Sequence, residues 1–219
     1  MEGCQVKAEL EAATGLPVTV VNDAHAAGLA EHWTGEGQDC AHFICITIGT
    51  AVGGAIFING ALYRGFRGAA GELSMIRMGP PLPGEKIPAS ASHLCGGILG
   101  LSRIYSRALG LIEPSTWLTD TWEILRRAEE GDAIAAASVE EFFEHLTILL
   151  INTTATLDPE RILIGGGLSE REGFVAQVQA RLAERIADTT LVAAPEVRAC
   201  RNGNRAGILG AIHAAHLTA

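Results

Sequence analysis

Four short stretches of this chain carry residues suited to chemistry, and glycine dominates two of them. Residues 46–60 read Ile-Thr-Ile-Gly-Thr-Ala-Val-Gly-Gly-Ala-Ile-Phe-Ile-Asn-Gly. An apolar, β-branched run enters a turn made of Gly49, Thr50, Gly53 and Gly54, and a second run leaves it toward Asn59-Gly60, a strong hairpin signal. Glycines let backbone N–H groups converge on an anion and the Thr50 hydroxyl adds a donor, so this turn can cradle a phosphate. The same residues are equally compatible with a tight β-turn that needs glycine only for its dihedrals. The turn is not a P-loop, since no Gly-Lys-Ser/Thr follows, and it lacks the Gly-x-Gly-x-x-Gly spacing of a dinucleotide site. A second glycine turn, Gly165-Gly166-Gly167, follows a late apolar run. The remaining two stretches carry carboxylates: Asn22-Asp23 opens a helix, and Glu72 follows a loop punctuated by Gly65, Gly68 and Gly71. Taken singly, Asn22 or Asp23 can be a helix cap, Glu72 a solvated loop acid and the triple glycine a tight turn.

The elements that must hold these residues follow from periodicity and from breakers. A short helix over 6–14 ends at Gly15, and 17–21 reads as a strand. Asp23 takes the N-cap position of a helix that runs through Leu29 and Trp33 to Gly35 and Gly37. Strands over 41–48, 54–58 and 61–63 form an antiparallel meander, with another strand expected over 73–78. Residues 79–92 carry Pro80, Pro81, Pro83 and Pro88 and read as a long surface loop. Helices are expected over 97–109, 121–130 and 132–157, the last stopped by Asp158-Pro159. A buried strand over 161–164 then leads through the triple glycine into a helix begun by Ser169, with Glu172 completing a capping box. A strand over 191–194 and a helix from Asn204 finish the chain.

Composition excludes several classes of function. The 219 residues carry a formal charge of −9 with no Lys/Arg cluster, which argues against nucleic acid as a partner of this chain. Hydrophobic content of 48% with 26 glycines fits an α/β protein with a substantial core. Cys4, Cys40, Cys45, Cys95 and Cys200 are odd in number and scattered, so a reduced, cytoplasmic setting is expected rather than a disulfide framework. Glu2, Lys7, Glu9 and Glu11 interrupt any apolar core of a leader peptide. The charge-free run over 146–157 falls well short of the ~20 residues needed to cross a bilayer, so no membrane partner is expected.

A meander followed by helices and parallel strands, with one glycine turn in a hairpin and one after a late strand, resembles one lobe of the actin, hexokinase and heat-shock ATPase architecture, a ribonuclease H-like α/β fold. The specific resemblance is to the ROK family of sugar kinases and sugar-responsive repressors. Residues 17–27, Pro-Val-Thr-Val-Val-Asn-Asp-Ala-His-Ala-Ala, are similar to that family's Asn-Asp-Ala-Asn-Ala-Ala segment, and 49–54 to its second phosphate motif. Ala70-Gly71-Glu72 resembles its sugar-site segment. Leu157-Asp158-Pro159 with 162–167 resembles its adenosine-side motif, and 205–211 its C-terminal helix. The matches fall in the same order over nearly the whole chain. What the resemblance implies is phosphorylation of a hexose or N-acetylhexosamine by ATP with Mg2+. Asp23 would be the general base, Asn22 and Glu72 would hold sugar hydroxyls, Gly49, Thr50 and Gly53 would face the transferred phosphate, and Gly165, Gly166 and Gly167 would lie against the adenosine.

Three departures qualify the resemblance. The family's Asp-x-Gly-Gly-Thr loop does not occur, so residues 1–40 read as a remnant of the N-terminal lobe and interlobe region, and 41–219 as the C-terminal lobe. Ser74-Met75 stand where the family has Gly-His after Ala-Gly-Glu. The family's zinc knuckle is reduced to His93 and Cys95, and because structural zinc wants four ligands, zinc is not expected. Two further readings therefore stand beside the kinase: a non-catalytic sugar-sensing module like the family's repressors, and an inactive, truncated kinase. The sheet face or edge that the other lobe would shield is expected to lead either to self-association or to an exposed apolar patch larger than the few hundred Å² usual for monomers.

Overall fold

The computed structural model of the chain describes residues 4–82, 86, 88–187 and 191–218. In order, the elements begin with α1 (Val6–Thr14), α2 (Asp23–Thr34), β1 (Phe43–Ile48), β2 (Val52–Ile58), β3 (Ala61–Leu62), β4 (Arg77–Pro81), β5 (Pro88–Ser90) and α3 (Ala91–Cys95). They continue with α4 (Arg103–Ala108), α5 (Thr121–Glu129), α6 (Ala133–Leu157), β6 (Arg161–Gly165), α7 (Phe174–Ile186), β7 (Glu196–Ala199) and α8 (Ala206–Thr218). The main sheet has the order β3-β2-β1-β6-β7, antiparallel across the meander and parallel from β1 through β6 to β7.

Residue type alternates along the strands and thereby sorts two cores. Ile44, Ile46 and Ile48 of β1, with Ile162 and Ile164 of β6, enter the larger core with Phe142, Phe143, Leu146 and Leu182 of α6 and α7. Phe43, Cys45 and Leu163 point the other way, to Leu29 of α2 and Ala214 of α8. By the same parity Thr47 belongs to the α2 side. Helices on both faces of a partly parallel sheet are what such strands require, because neither face is polar enough for solvent.

α2 is fastened at both ends. Its N-cap is Asn22, whose side chain accepts from the His25 backbone N–H at 3.0 Å, so Asp23 is the first helical residue rather than the cap. Farther along, α8 approaches so closely that a Cβ on Gly210 would stand 1.8 Å from the Ala26 carbonyl oxygen. At the C-terminal end the carboxylate of Glu31 is fully buried. It accepts from the backbone N–H of Glu36, Arg201 and Asn202 and from the Asn202 side-chain amide, at 2.9 to 3.1 Å. Around this point, Arg198 and Arg201 pair with Glu36, while Arg161 reaches Asp39 and Glu196. The Arg161 guanidinium holds the Asp39 carboxyl down at about 2.

Several elements differ from the sequence expectation. Residues 17–21 belong to none of the strands among the described residues. Leu73–Met75 is a turn of 3-10 helix, not the start of a strand. The proline-rich stretch contains the paired strands β4 and β5, although residues 83–85 and 87 lie outside those described. Residues Gly97–Ser102 are π-helical before α4 begins. The hydroxyl of Ser169 donates back to the Gly166 carbonyl at 2.7 Å instead of capping a helix, and α7 starts only after Gly173 at φ 78°. The last strand is four residues long, Glu196–Ala199, instead of 191–194. Among the described residues no helix is long and apolar enough to cross a membrane.

Candidate functional site

The C-terminal end of β1 and the first turn of α2 meet at a cavity of about 490 Å³, a volume that suits a small polar ligand. Asn22, Asp23, Glu72, Gly49, Thr50, Gly53 and Gly166 all line it, together with Ala24, Thr47, Ala51, Val52 and Gly54. Gly165 and Gly167 flank Gly166 but are not among the lining residues. The cavity thus opens at the carboxyl ends of the parallel strands β1 and β6, where open α/β sheets leave a crevice for ligands.

Each wall has a local cause. Asp23 is presented by the first turn of α2, its Oδ1 accepting from the Ala24 N–H at 2.8 Å. That turn can sit against β2 only because residue 53 is glycine: a Cβ there would lie 2.6 Å from Thr47 Oγ1 and 2.8 Å from Ala24 Cβ. Glu72 arrives from the loop that crosses Gly54, whose own Cβ would lie 2.6 Å from the Gly71 carbonyl oxygen. His25, buried on α2, brings its Nε2 within 3.0 Å of the Ala70 carbonyl, tying the Asp23 turn to the Glu72 loop. Ser74 donates to Glu72 at 3.3 Å.

The glycines divide by cause. Gly166 has φ 94°, and a Cβ on it would come 2.2 Å from the Ile48 carbonyl oxygen, so backbone geometry and packing both demand glycine. Gly49 has neither reason, because its φ is not left-handed and no atom lies within 4 Å of a built Cβ. A methyl added at residue 49 would therefore project into the open space of the cavity. We therefore expect Gly49→Ala to leave thermal stability within about 0.5 kcal/mol of wild type, as for a surface change. Nucleotide affinity, read by calorimetry, should fall by roughly tenfold, as an intruding methyl predicts for a close backbone contact.

Thr47 is the lining residue that sequence reading missed. Its signal was available in the alternation of β1, which places it on the same face as Phe43 and Cys45. No Lys, Arg or His lines the cavity among the described residues, so its side-chain charge comes from Asp23 and Glu72 alone. Of the two remnants of the zinc knuckle, His93 Nδ1 lies by the Ser90 hydroxyl at 3.3 Å and Cys95 Sγ by Met78 Sδ at 3.9 Å. Among the described residues no three His, Cys, Asp or Glu side chains gather as a metal site.

The model of the ROK family matches residues 1–217, and the chain belongs to that family. It is 37% identical over 212 residues to a beta-glucoside kinase of Listeria innocua, an alignment covering 95% of this chain and 68% of that one. Among solved structures, the ROK hexokinase of Thermus thermophilus superimposes with a TM-score of 0.82 at 31% identity, over 97% of this chain and 70% of that one. A ROK family glucokinase of Streptomyces griseus, solved in complex with glucose and AMPPNP, gives a TM-score of 0.78 at 28% identity, over 94% and 70% of the two chains. The actin- and hexokinase-like α/β fold expected from the sequence is the fold these structures share with it.

Proposed function

We propose that this chain carries the base and the phosphate cradle of a sugar kinase that transfers the γ-phosphoryl group of ATP to a hexose or N-acetylhexosamine. The observation that carries the reading is one cavity bearing an amide, two carboxylates and a threonine-flanked glycine turn, with no cationic side chain among the described residues. Asn22 and Glu72 hold sugar hydroxyls, because an amide and a carboxylate match their paired donors and acceptors. Asp23 accepts the proton of the attacking hydroxyl as its oxygen bonds to the γ-phosphorus and ADP departs. Gly49, Thr50 and Gly53 receive the phosphoryl group, and the turn over Gly165, Gly166 and Gly167 borders the nucleoside.

Charge favours a nucleotide that arrives with Mg2+. Among the described residues the cavity carries two carboxylates and no cationic side chain, which repel a bare polyphosphate. The ion neutralises the phosphates as it arrives. We also propose that the chain self-associates, since Leu16, Val20, Phe66, Ile208 and Leu217 leave large apolar side chains in solvent, Phe66 at 99% exposure.

The test is a coupled ADP-release assay over a panel of hexoses and N-acetylhexosamines. Sugar-dependent ADP release is expected. Measurable sugar binding without any turnover would favour the sugar-sensing module, which the Ser74-Met75 replacement and the reduced zinc knuckle also fit.

A further inference from the structure

Among the described residues no aromatic side chain lines the cavity assigned above to sugar and phosphate. It also has a direction. Asp23 and the Glu72 loop lie against β2, the glycine turn joins β1 to β2, and Gly166, which follows β6, packs against the Ile48 backbone at the end of β1. The cavity therefore runs across the amino end of β2 and the carboxyl ends of β1 and β6, from the Asp23 side to the Gly166 side. With the γ-phosphate at the β1–β2 turn and the acceptor hydroxyl at Asp23, the rest of a nucleotide has to extend toward Gly166 and past it.

Trp122 stands there. Its indole N–H donates to the carbonyl of Gly167 at 3.1 Å, and the ring is 44% exposed. The Arg171 guanidinium sits over the ring, 6.0 Å from its centroid, and Arg171 is itself fixed by Glu129 at 2.6 Å. The helix that carries Trp122 is wedged against the phosphate side as well. Asp120 caps α5, Thr121 Cγ2 lies 3.7 Å from a Cβ built on Gly97, and the Gly97 N–H donates to the Gly49 carbonyl at 2.8 Å. A large aromatic surface is therefore anchored at its edge and backed by a guanidinium, beside the Gly166 side of the cavity.

We propose that Trp122 is the stacking wall for the nucleotide base and selects a purine. This rests on the reading that a nucleotide occupies the cavity, and it adds the base contact that no lining residue supplies. An indole offers a purine a broad π-face at little conformational cost, whereas a smaller pyrimidine overlaps it less. The selectivity is for ring area, because the indole N–H is already committed to Gly167.

The experiment separates the base from the phosphates. Calorimetric titrations with Mg-ATP, Mg-CTP and Mg-tripolyphosphate are run on wild type, Trp122→Ala and Trp122→Phe, with melting temperatures recorded alongside. Trp122→Ala is expected to weaken Mg-ATP roughly tenfold and to erase a preference for ATP over CTP, while tripolyphosphate affinity stays within about twofold. Trp122→Phe keeps a ring and should retain most of the preference. In wild type, ATP but not tripolyphosphate should quench indole emission, and the quenching should vanish in Trp122→Phe. ATP affinity unchanged in Trp122→Ala overturns the proposal and leaves the kinase reading standing. Equal losses of ATP and tripolyphosphate also overturn it, by showing that the indole only supports the turn. Tripolyphosphate binding in wild type with no advantage for ATP overturns it too, and binding of neither overturns the nucleotide reading beneath it.

Discussion

Asp23→Asn is expected to lower kcat on the order of a thousandfold, the middle of the range for a positioned general base, while sugar affinity stays within about threefold of wild type. The two halves of this expectation have separate causes. An asparagine at the first turn of α2 is nearly isosteric and still accepts a hydrogen bond from the Ala24 N–H, so the turn and the hydroxyl contacts survive. It cannot take a proton, so the attacking oxygen keeps its hydrogen until late in the transfer. Steady-state kinetics and sugar titrations on the same preparation check both halves. Loss of sugar affinity in parallel with kcat would make Asp23 a binding group instead.

The second large effect is on stability. Glu31→Ala is expected to destabilise the fold by about 3 kcal/mol, because four N–H donors, the two of Asn202 buried and those of Glu36 and Arg201 partly so, lose their acceptor at once. For a chain of this size that is a fall in melting temperature of roughly 10 °C. The loss should not stay local. Glu31 joins the end of α2 to the segment that enters α8, and Gly210 of α8 rests on the Ala26 backbone only three residues from Asp23. Glu31→Gln should recover part of the loss, since its amide oxygen satisfies one pair of donors while its NH2 opposes the other. Thermal or urea melts of the two variants decide this, and a Glu31→Ala protein as stable as wild type would refute the role assigned to the buried carboxylate.

How much of this was readable from the sequence depends on how local the cause was. The long helix α6 carries its own cap at Asp132 and its own stop at Asp158, which takes φ 43°. The Asn59-Gly60 turn has both residues at positive φ, as a type I′ hairpin requires. Asn22-Asp23, Gly49-Thr50 and Ala70-Gly71-Glu72 could be singled out because each motif is contiguous. What failed depended on partners distant in sequence. The β-branched run at 17–21 has strand propensity but joins neither sheet among the described residues, and Val18 donates its N–H to Glu11. The register of β7 is set by its pairing with β6, Arg161 opposite Glu196, and by Gln179 accepting from the Val197 N–H. Residues 192–194 lie outside the strands of the sheet among the described residues. The capping pattern Ser169 to Glu172 was overruled by Gly173, whose left-handed backbone starts α7 later. Nothing in the sequence joins Glu31 to Arg201 and Asn202, or Trp122 to Gly167.

The central claim is that Asp23 faces the acceptor hydroxyl of a sugar while the Gly49-Thr50 turn faces the phosphate that will leave ATP. A crystal structure of the chain with glucose or N-acetylglucosamine and Mg-AMPPNP tests it most directly. The account predicts one sugar hydroxyl at about 2.6–3.2 Å from the Asp23 carboxylate, with Asn22 and Glu72 on neighbouring hydroxyls and the γ-phosphate against the backbone of Gly49 and Thr50. A sugar bound outside this cavity, or one held by Glu72 with the Asp23 carboxylate turned away from every hydroxyl, would contradict it.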